Sequence, residues 1–199
     1  MVRGRAISYY DQHAAELADS YETIPFEQAY PFLVPLFSDG SLDVLDIGAG
    51  TGRDAAWIAA RGHRVCAVEP SAAMRTLAKK LHPNQRITWI DARLPDLTSD
   101  VLQAKIFDVV LANAVWMHIP PQFREKSMRR IFELAKVGGK AFISLRIGPQ
   151  DQQRGMYQVS PEGFRNVAQS VGFKVIPKGQ QPDILGRSEI SWLMYELAK

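Results

Sequence analysis

The chain has 199 residues, of which 46% are hydrophobic and 23% are charged. These values predict one globular domain that is long enough to bury its own core, and no apolar run approaches the ~18 residues that a membrane span needs. The net charge of +3 comes from scattered lysines and arginines. Because nucleic-acid surfaces concentrate basic residues beside stacking aromatic residues, the composition gives no indication of such a surface.

Residues that could form a disulfide or a metal site are few. Cys66 is the only cysteine, which excludes a disulfide within the chain, and the four histidines are far apart. None of them stands near another histidine, a cysteine or an acid at metal-ligand spacing, so we expect no metal site. No apolar stretch of a signal peptide follows the first five residues, and a reducing cytoplasm is the expected location.

The predicted elements begin with a helix over residues 8–21. Strand-like and helix-like patterns then alternate from residue 42 to about 145. The predicted strands are 42–47, 64–69, 87–90, 107–112 and 140–146, with helices over 52–61, 71–81 and 121–136 between them. A further helix opens at Ser160-Pro161, and two last strands are predicted at 173–177 and 190–197. The alternation is typical of an α/β fold in which helices cover a parallel sheet.

A glycine-rich segment follows the first predicted strand. An acid ends that strand, three glycines follow at every second position, and another acid ends the second strand: Asp46, Gly48, Gly50, Gly52 and Glu69. Glycine accommodates positive φ and lets a ligand approach the main chain, and a helix start leaves N–H groups free. The pattern predicts the floor of a nucleotide-type cofactor pocket, because a tight turn without a ligand would need only one glycine.

The spacing of the glycines indicates which cofactor the pocket would hold. A dinucleotide fingerprint is G-x-G-x-x-G, but here the third glycine comes one residue early and Arg53 holds the expected position. The G-x-G-x-G turn, preceded by Asp46 and followed by Glu69, resembles that of the class I S-adenosylmethionine-dependent methyltransferases. Gly138 and Gly139 likewise resemble the family's turn before the fifth strand, and the resemblance covers roughly residues 8–199.

The resemblance implies a fold and a division of the chain. The fold is a doubly wound, mostly parallel seven-stranded sheet of order 3-2-1-4-5-7-6, with strand 7 antiparallel and helices on both faces. Residues 1–199 would form a single Rossmann-like domain with three parts. These are an N-terminal helical cap at 1–40, a cofactor-binding core at 42–145, and an acceptor-side loop, helix and C-terminal hairpin at 146–199. Ligands of such sheets bind where the strand order reverses, between the first and fourth strands.

The resemblance also implies which residues hold S-adenosylmethionine. The glycine turn would hold the methionine part, Glu69 the ribose, and Asp91 the amino group of the adenine. Aromatic candidates from the N-terminal helix are Tyr9, Tyr10 and Tyr21, since family members with a similar start place such a tyrosine near the methionine end. The predicted cofactor-binding residues are Tyr10, Asp46, Gly48, Ala49, Gly50, Thr51, Gly52, Arg53, Glu69, Pro70, Met74, Asp91, Ala92, Arg93, Asn113, Ala114 and Val115.

His118 and Arg146 are the predicted catalytic residues. His118 follows the fourth strand and would act as a base or orient the acceptor, unless it is a loop histidine that only walls the pocket. Arg146 ends the fifth strand, and an arginine pair there would suit a carboxylate or phosphate on the acceptor. The plainer alternative is that the arginines of this region pair with local acids. The residues concerned are Arg146, Arg154, Arg187, Asp183 and Glu189.

These patterns together predict a cytoplasmic S-adenosylmethionine-dependent methyltransferase. Its acceptor would be a small molecule, anionic if the arginines bind it, because no appended domain for RNA or protein recognition is visible. The protein would act as a monomer or dimer, without a membrane partner. Three alternatives stay open: an RNA or protein methyltransferase, a non-catalytic module that binds S-adenosylmethionine, and a nicotinamide dehydrogenase, which the glycine spacing disfavours.

Overall fold

The computed structural model describes residues 4–199, and its seven strands form one mixed sheet. In chain order the strands are β1 (Asp43–Ile47), β2 (Arg64–Val68), β3 (Ile87–Ile90), β4 (Phe107–Ala112), β5 (Ala135–Ile147), β6 (Lys174–Pro182) and β7 (Ser191–Ala198). Across the sheet they run β3-β2-β1-β4-β5-β7-β6. The first five strands pair in parallel, and β7 is antiparallel to both β5 and β6. The predicted order and the antiparallel strand are confirmed.

Eight α-helices accompany the sheet within residues 4–199. They are α1 (Arg5–Gln12), α2 (Ala14–Tyr21), α3 (Phe26–Ala29), α4 (Arg53–Ala60), α5 (Ala72–Leu81), α6 (Asp100–Gln103), α7 (Arg124–Leu134) and α8 (Pro161–Ser170). Ser71 caps α5 by accepting a hydrogen bond from Met74 N, and Ser160 caps α8 by accepting one from Gly163 N. Both serines satisfy N–H groups that have no partner inside the helix.

Helices cover both faces of the sheet, because side chains of successive strand residues point to opposite sides. Leu45 belongs to the hydrophobic cluster that contains Ile131 of α7 and Phe164 of α8. Val44 belongs to the cluster on the other face, with Phe26 and Ile58. Each face of the central strands is therefore closed by its own apolar layer, which is why these strands read as nearly continuous hydrophobic runs.

The predicted N-terminal helix is two helices in the structure. His13 leaves the helical region, with φ −114° and ψ 18°, and its Nδ1 lies 2.9 Å from the carbonyl oxygen of Tyr9. This contact with the last turn of α1 accompanies the break between α1 and α2. The apolar periodicity of residues 8–21 does not reveal it.

The fifth strand begins earlier than its apolar run. Ala135 pairs with Phe107, and the register then shifts before Val109 pairs with Lys140. Gly138, with φ +78°, lies inside this irregular stretch of β5. The predicted glycine turn is therefore part of β5, which starts at Ala135. The sequence predicts instead a helix that ends at residue 136 and a strand that begins at residue 140.

None of the helices formed by residues 4–199 is long and apolar enough to cross a membrane. The division into a cap at 1–40, a core at 42–145 and an acceptor side at 146–199 stays a prediction. The first three residues of the predicted cap lie outside the described part of the chain.

Candidate active site

A cavity of about 290 Å³ opens beyond the carboxyl ends of the central strands. The neighbours β1 and β4 are the strands between which the order reverses, the usual place for a ligand in an open α/β sheet. Most of the predicted site residues line this cavity: Tyr10, Asp46, Gly48, Ala49, Gly50, Thr51, Arg53, Glu69, Pro70, Met74, Ala92, Arg93, Asn113, Ala114, Val115, His118 and Arg146. Residues scattered over more than a hundred sequence positions thus meet around one space.

The glycine turn owes its composition to contacts as well as to backbone angles. A Cβ on Gly48 would lie 2.5 Å from Val115 Cγ2, and one on Gly52 would lie 2.7 Å from the Trp89 ring. Both glycines also have positive φ, where a side chain is strained. Gly50 differs, because a Cβ there would meet no protein atom within 4 Å. Since Gly50 lines the cavity, its main chain is open to a ligand.

Glu69 fastens the turn from the neighbouring strand. Its Oε2 accepts a hydrogen bond from Gly50 N at 2.9 Å, and its Oε1 accepts one from Ser71 N at 2.7 Å. Burial raises the pKa of the Glu69 carboxyl, while these two hydrogen bonds to the main chain oppose the shift. Each carboxyl oxygen keeps a lone pair for a further donor, such as a ribose hydroxyl.

A second group of charges lies beneath the turn. Asp46 is only 3% exposed, and its pKa is raised by burial and then by the neighbouring Asp54. Asp54 pairs with Arg53 at 2.7 Å, and the same guanidinium donates to the carbonyl of Tyr21. Arg53 therefore pairs with Asp54 and ties the start of α4 to the end of α2. Asp46 lines the cavity and forms no ion pair within residues 4–199, although the charge of Arg53 lowers its pKa against the effect of burial.

The end of β4 carries an amide and a strained residue. Ala114 has φ +55°, which is unusual for a residue with a side chain. Its N–H donates to Ser144 Oγ at 2.7 Å, and this bond anchors the turn to β5. The turn brings the Asn113 side chain into the cavity wall and packs Val115 over Gly48.

Two predicted cofactor residues lie outside the cavity lining. Asp91 accepts a hydrogen bond from Arg75 at 2.7 Å, and its side chain is 69% exposed. Ala92 and Arg93 reach the lining instead, because the chain turns outward at Asp91 directly after β3. Gly52 approaches the Trp89 ring, so its contribution is to the packing of the turn rather than to the cavity wall.

His118 meets the N-terminal helix across the cavity. Its Nε2 lies 3.2 Å from the Tyr10 hydroxyl, and the two rings are edge to face. Burial lowers the pKa of His118 to about 4, so the imidazole is neutral at pH 7. Burial also raises the pKa of Tyr10, which keeps its proton. The pair is thus an uncharged hydrogen-bonding unit with both a donor and an acceptor.

The predicted arginines differ in their partners. Arg187 pairs with Asp183 at 2.7 Å, as the local-pairing alternative expects. Arg146 forms no ion pair in the described structure, and its guanidinium donates to the main-chain carbonyl of Pro149. Arg154 lies 3.4 Å from Asp151 through its Nε. Arg146, Arg154 and Arg187 all line the cavity, with Tyr21, Asp183 and Trp192. Tyr9 lies outside that lining and stacks on His13.

Unpartnered polar atoms are concentrated in this cavity. Within residues 4–199, eight buried side-chain nitrogen or oxygen atoms lack a hydrogen-bond partner. Six belong to cavity residues: Asp46 Oδ2, Asn113 Nδ2, Asn113 Oδ1, His118 Nδ1, Arg146 Nε and Arg154 Nε. Because buried polar groups are normally paired, this concentration fits a polar ligand that completes their hydrogen bonds. No cluster of three or more metal-binding side chains occurs in that part of the chain.

Sequence reasoning missed several residues of the cavity wall. They include Tyr30, Asp54, Leu94, Met117, Ser144 and Met156. Ser144 could have been found, since it lies two residues before Arg146 on the same face of β5. Asp54 directly follows Arg53 at the start of a helix. Tyr30 and Met156 come from irregular segments that no motif marks.

Known proteins resemble this chain in sequence and in fold. A family described as the methyltransferase domain matches residues 45–143. An uncharacterized methyltransferase of Oceanobacillus iheyensis is 27% identical over 133 residues, which are 65% of this chain and 58% of the relative. One from Anoxybacillus flavithermus is 26% identical and aligns over 66% of this chain and 56% of its own length. The chain thus spans little more than half the length of these curated relatives.

Solved structures share the fold at low sequence identity. The 1,6-didemethyltoxoflavin-N1-methyltransferase of Burkholderia thailandensis, with its substrate and S-adenosylhomocysteine bound, has a TM-score of 0.72 at 21% identity. That match covers 98% of this chain and 87% of the other. The magnesium protoporphyrin IX methyltransferase of Synechocystis, with bound S-adenosylmethionine, has a TM-score of 0.67 at 19% identity, over 96% of this chain and 80% of that one.

Proposed function

Because the chain belongs to the class I S-adenosylmethionine-dependent methyltransferases, we propose that it transfers the cofactor's methyl group to a small-molecule acceptor. The observation that carries this proposal is the concentration of unpartnered buried atoms in one cavity. The cavity joins the glycine turn to an arginine-lined region, so one part can hold a cofactor while the other holds an acceptor. The cofactor would supply a methyl group carried on a positively charged sulfonium.

The cofactor part would be built from the ends of the first, second and fourth strands. Glu69 has lone pairs free for ribose hydroxyls, and Gly50 offers open main chain beside it. Asp46 and the Asn113 amide supply unpartnered polar atoms for the rest of the molecule. Acidic side chains at this end suit a cation, because opposite charges attract strongly in a partly buried site.

The Tyr10–His118 pair would meet the acceptor. Burial and the neighbouring Tyr21 raise the pKa of the Tyr10 hydroxyl most, while Arg154 lowers it and Glu69 raises it, so Tyr10 lies within reach of both a basic and an acidic group of the cavity. A neutral imidazole can accept a proton from a hydroxyl or ammonium acceptor, or hold the acceptor in line by a hydrogen bond. In either case His118 acts through direct contact with the acceptor.

Calorimetric titration with S-adenosylhomocysteine tests the cofactor part. We expect micromolar-range binding, weakened at least about tenfold in Glu69→Gln, because the amide can no longer accept through both of its terminal atoms. Glu125→Gln is the matched control, since Glu125 lies on the exposed face of α7 and pairs with Arg129. Equal affinities of the wild type and Glu69→Gln would contradict the assignment.

A transfer assay with methyl-labelled cofactor tests the acceptor class. Separate pools of small molecules, RNA and protein distinguish the proposed activity from methylation of a macromolecule. Cofactor that binds but is consumed with none of the pools would favour a non-catalytic binding module. We also propose a cytoplasmic location, which the free and buried Cys66 supports.

A further inference from the structure

We propose that the acceptor carries an oxyanion, either a carboxylate or a phosphate, and that Arg146 binds it. This inference rests on the proposed function and specifies the chemistry of its acceptor. It starts from Arg146, whose Nε is buried and has no hydrogen-bond partner in the described structure. A guanidinium presents five N–H donors in a planar fork that matches an oxyanion, and here one arm is bound only to the Pro149 carbonyl.

Two acids lie near Arg146, and both are engaged elsewhere: Asp151 accepts from Arg154 N at 3.0 Å and pairs with the Arg154 guanidinium, while Asp183 is saturated. Asp183 Oδ1 accepts from Arg187 Nη2 at 2.7 Å and from Trp192 Nε1 at 2.9 Å. Its Oδ2 accepts from Arg187 Nε at 2.9 Å and from Arg187 N at 3.3 Å. These four bonds occupy the carboxylate, and they hold its pKa down at about 2, against the effect of burial. Asp183 therefore stays ionised but committed to Arg187.

The hydrogen bonds of Asp183 also hold Trp192, which lies beside Arg146 in the sheet. Arg146 of β5 is the register partner of Trp192 of β7, and Trp192 is in turn the partner of Gln181 of β6. Cross-strand partners place their side chains on the same face of the sheet, and all three line the cavity. Asp183 and Trp192 thus act as positioning residues for this end of the sheet.

The three arginines that line the cavity outnumber the acids that pair with them. Among residues 4–199, Arg154 pairs with Asp151 and Arg187 pairs with Asp183, whereas Arg146 forms no ion pair, so three guanidinium groups are set against these two carboxylates. Burial lowers the pKa of Arg146, and the two neighbouring arginines lower it further. The mutual repulsion of these cations is relieved when an anion binds between them. Arg154 adds a further guanidinium to the same cavity, where its Nε lies 3.4 Å from Asp151.

The rest of the acceptor would be apolar. The cavity that the arginines share is also lined by the apolar side chains of Met117, Met156, Ile184, Leu185 and Met194. Thioether and aliphatic side chains pack well against a flat or flexible apolar body. The structure therefore favours an apolar molecule with one oxyanion group over a fully polar metabolite.

Isosteric pairs of probes test this proposal. Benzoate is compared with benzamide, and phenyl phosphate with phenol, by calorimetric titration into the free protein and into the protein saturated with S-adenosylhomocysteine. At least one anion should bind about tenfold or more tightly than its neutral counterpart. The anion with the larger preference identifies the acceptor group as a carboxylate or a phosphate. Neutral probes that bind as tightly as both anions would overturn the proposal.

Arg146→Gln should abolish the preference for the anion and leave the affinity for S-adenosylhomocysteine unchanged. Arg129→Gln removes the same charge from an exposed helix face and should keep the preference, which controls for net charge. Arg146→Lys keeps the charge without the planar fork and should retain part of the preference for the anionic probe. An anion preference that survives in Arg146→Gln refutes the assignment. So does a loss of S-adenosylhomocysteine affinity equal to the loss of anion affinity, because Arg146 would then bind the cofactor's own carboxylate.

The titrations distinguish an error in the anion site from an error in the proposed methyltransferase function. A protein that binds no S-adenosylhomocysteine contradicts the cofactor assignment, whereas the titrations of the free protein still measure the anion site. Thermal unfolding of each variant, followed by circular dichroism, establishes that the folded state persists.

Discussion

Gly48 and Gly50 show how two residues with the same backbone requirement serve different ends. Both have positive φ, at 72° and 56°. A side chain on Gly48 would collide with Val115, while one on Gly50 would project into open space in the cavity wall. The first glycine is therefore needed for folding of the turn, and the second for access of a ligand to the main chain.

Alanine substitutions separate these two requirements. Gly48→Ala should lower the free energy of unfolding by more than about 2 kcal/mol, because left-handed strain adds to the collision. Gly50→Ala should cost only about 1 kcal/mol but should weaken S-adenosylhomocysteine binding more than its effect on stability explains. Urea denaturation and calorimetry measure the two quantities. Equal stability losses in the two variants would show that the contact with Val115 is relieved without cost.

His118 makes the stability depend on pH. Its pKa is about 4 in the folded protein against an ordinary value of 6.5, so the unfolded chain binds more protons between these pH values. This contribution therefore raises stability as the pH increases from about 4 to 6.5 and is constant above that range. His118→Gln should remove up to about 3 kcal/mol of this dependence.

Urea denaturation of the wild type and of His118→Gln at several pH values measures the difference. The comparison above pH 7 provides the control, because it reports only the packing cost of the substitution. Parallel pH profiles for the two proteins would show that His118 is not the residue that titrates.

At the scale of elements, polar contacts join the N-terminal helices to the core. Asp11 of α1 accepts from Ser71 Oγ at 2.7 Å and from Ala73 N at 3.2 Å. Ser71 also caps α5, so one serine supports both the helix start and the attachment of α1. Ser71, whose N–H also donates to Glu69, therefore links α1 to the acid that holds the glycine turn.

Comparison of two serine caps tests this coupling. Ser71→Ala and Ser160→Ala should each lower the free energy of unfolding by about 1 kcal/mol, because each removes an N-cap. Only Ser71→Ala should increase hydrogen exchange in α1, because the Ser71 hydroxyl donates to Asp11 of that helix. In the described structure the Ser160 side chain forms a hydrogen bond only within its own helix, α8. Unchanged exchange in α1 of Ser71→Ala would mean that the remaining contacts of α1, among them the bonds of Asp11 with Ala73 N and of Tyr10 with His118, attach the helix without Ser71.

For the whole molecule, a cofactor that binds only the folded state must stabilise it. S-adenosylhomocysteine at a hundred times its dissociation constant should raise the free energy of unfolding by about 2.7 kcal/mol. Protection from hydrogen exchange should increase most in α1, in α2 and in residues 148–157, because these segments contribute to the cavity lining without belonging to the sheet. Uniform protection across α7 and α8 as well would indicate a ligand that binds elsewhere.

The order of the elements could be read from the sequence because the buried strands of a parallel sheet are nearly continuous apolar runs. The strands β1 to β4 lie within one residue of their predicted bounds. The early start of β5 could not be read, since it depends on pairing of Ala135 with Phe107, 28 positions earlier in the chain. The break at His13 was also hidden, because apolar periodicity continues across it.

The sequence by itself determined the glycine turn and the acid on the neighbouring strand, whereas the strand order came from the family resemblance. The turn and the acid depend on backbone angles and on a spacing of a few tens of residues. Only the tertiary structure decided which arginine is paired and which is free, and that Asp91 turns outward to Arg75. The reason is physical: Asp183 accepts three hydrogen bonds from Arg187 and one from Trp192, and this set of contacts exists only once the last loop and β7 meet in the folded protein.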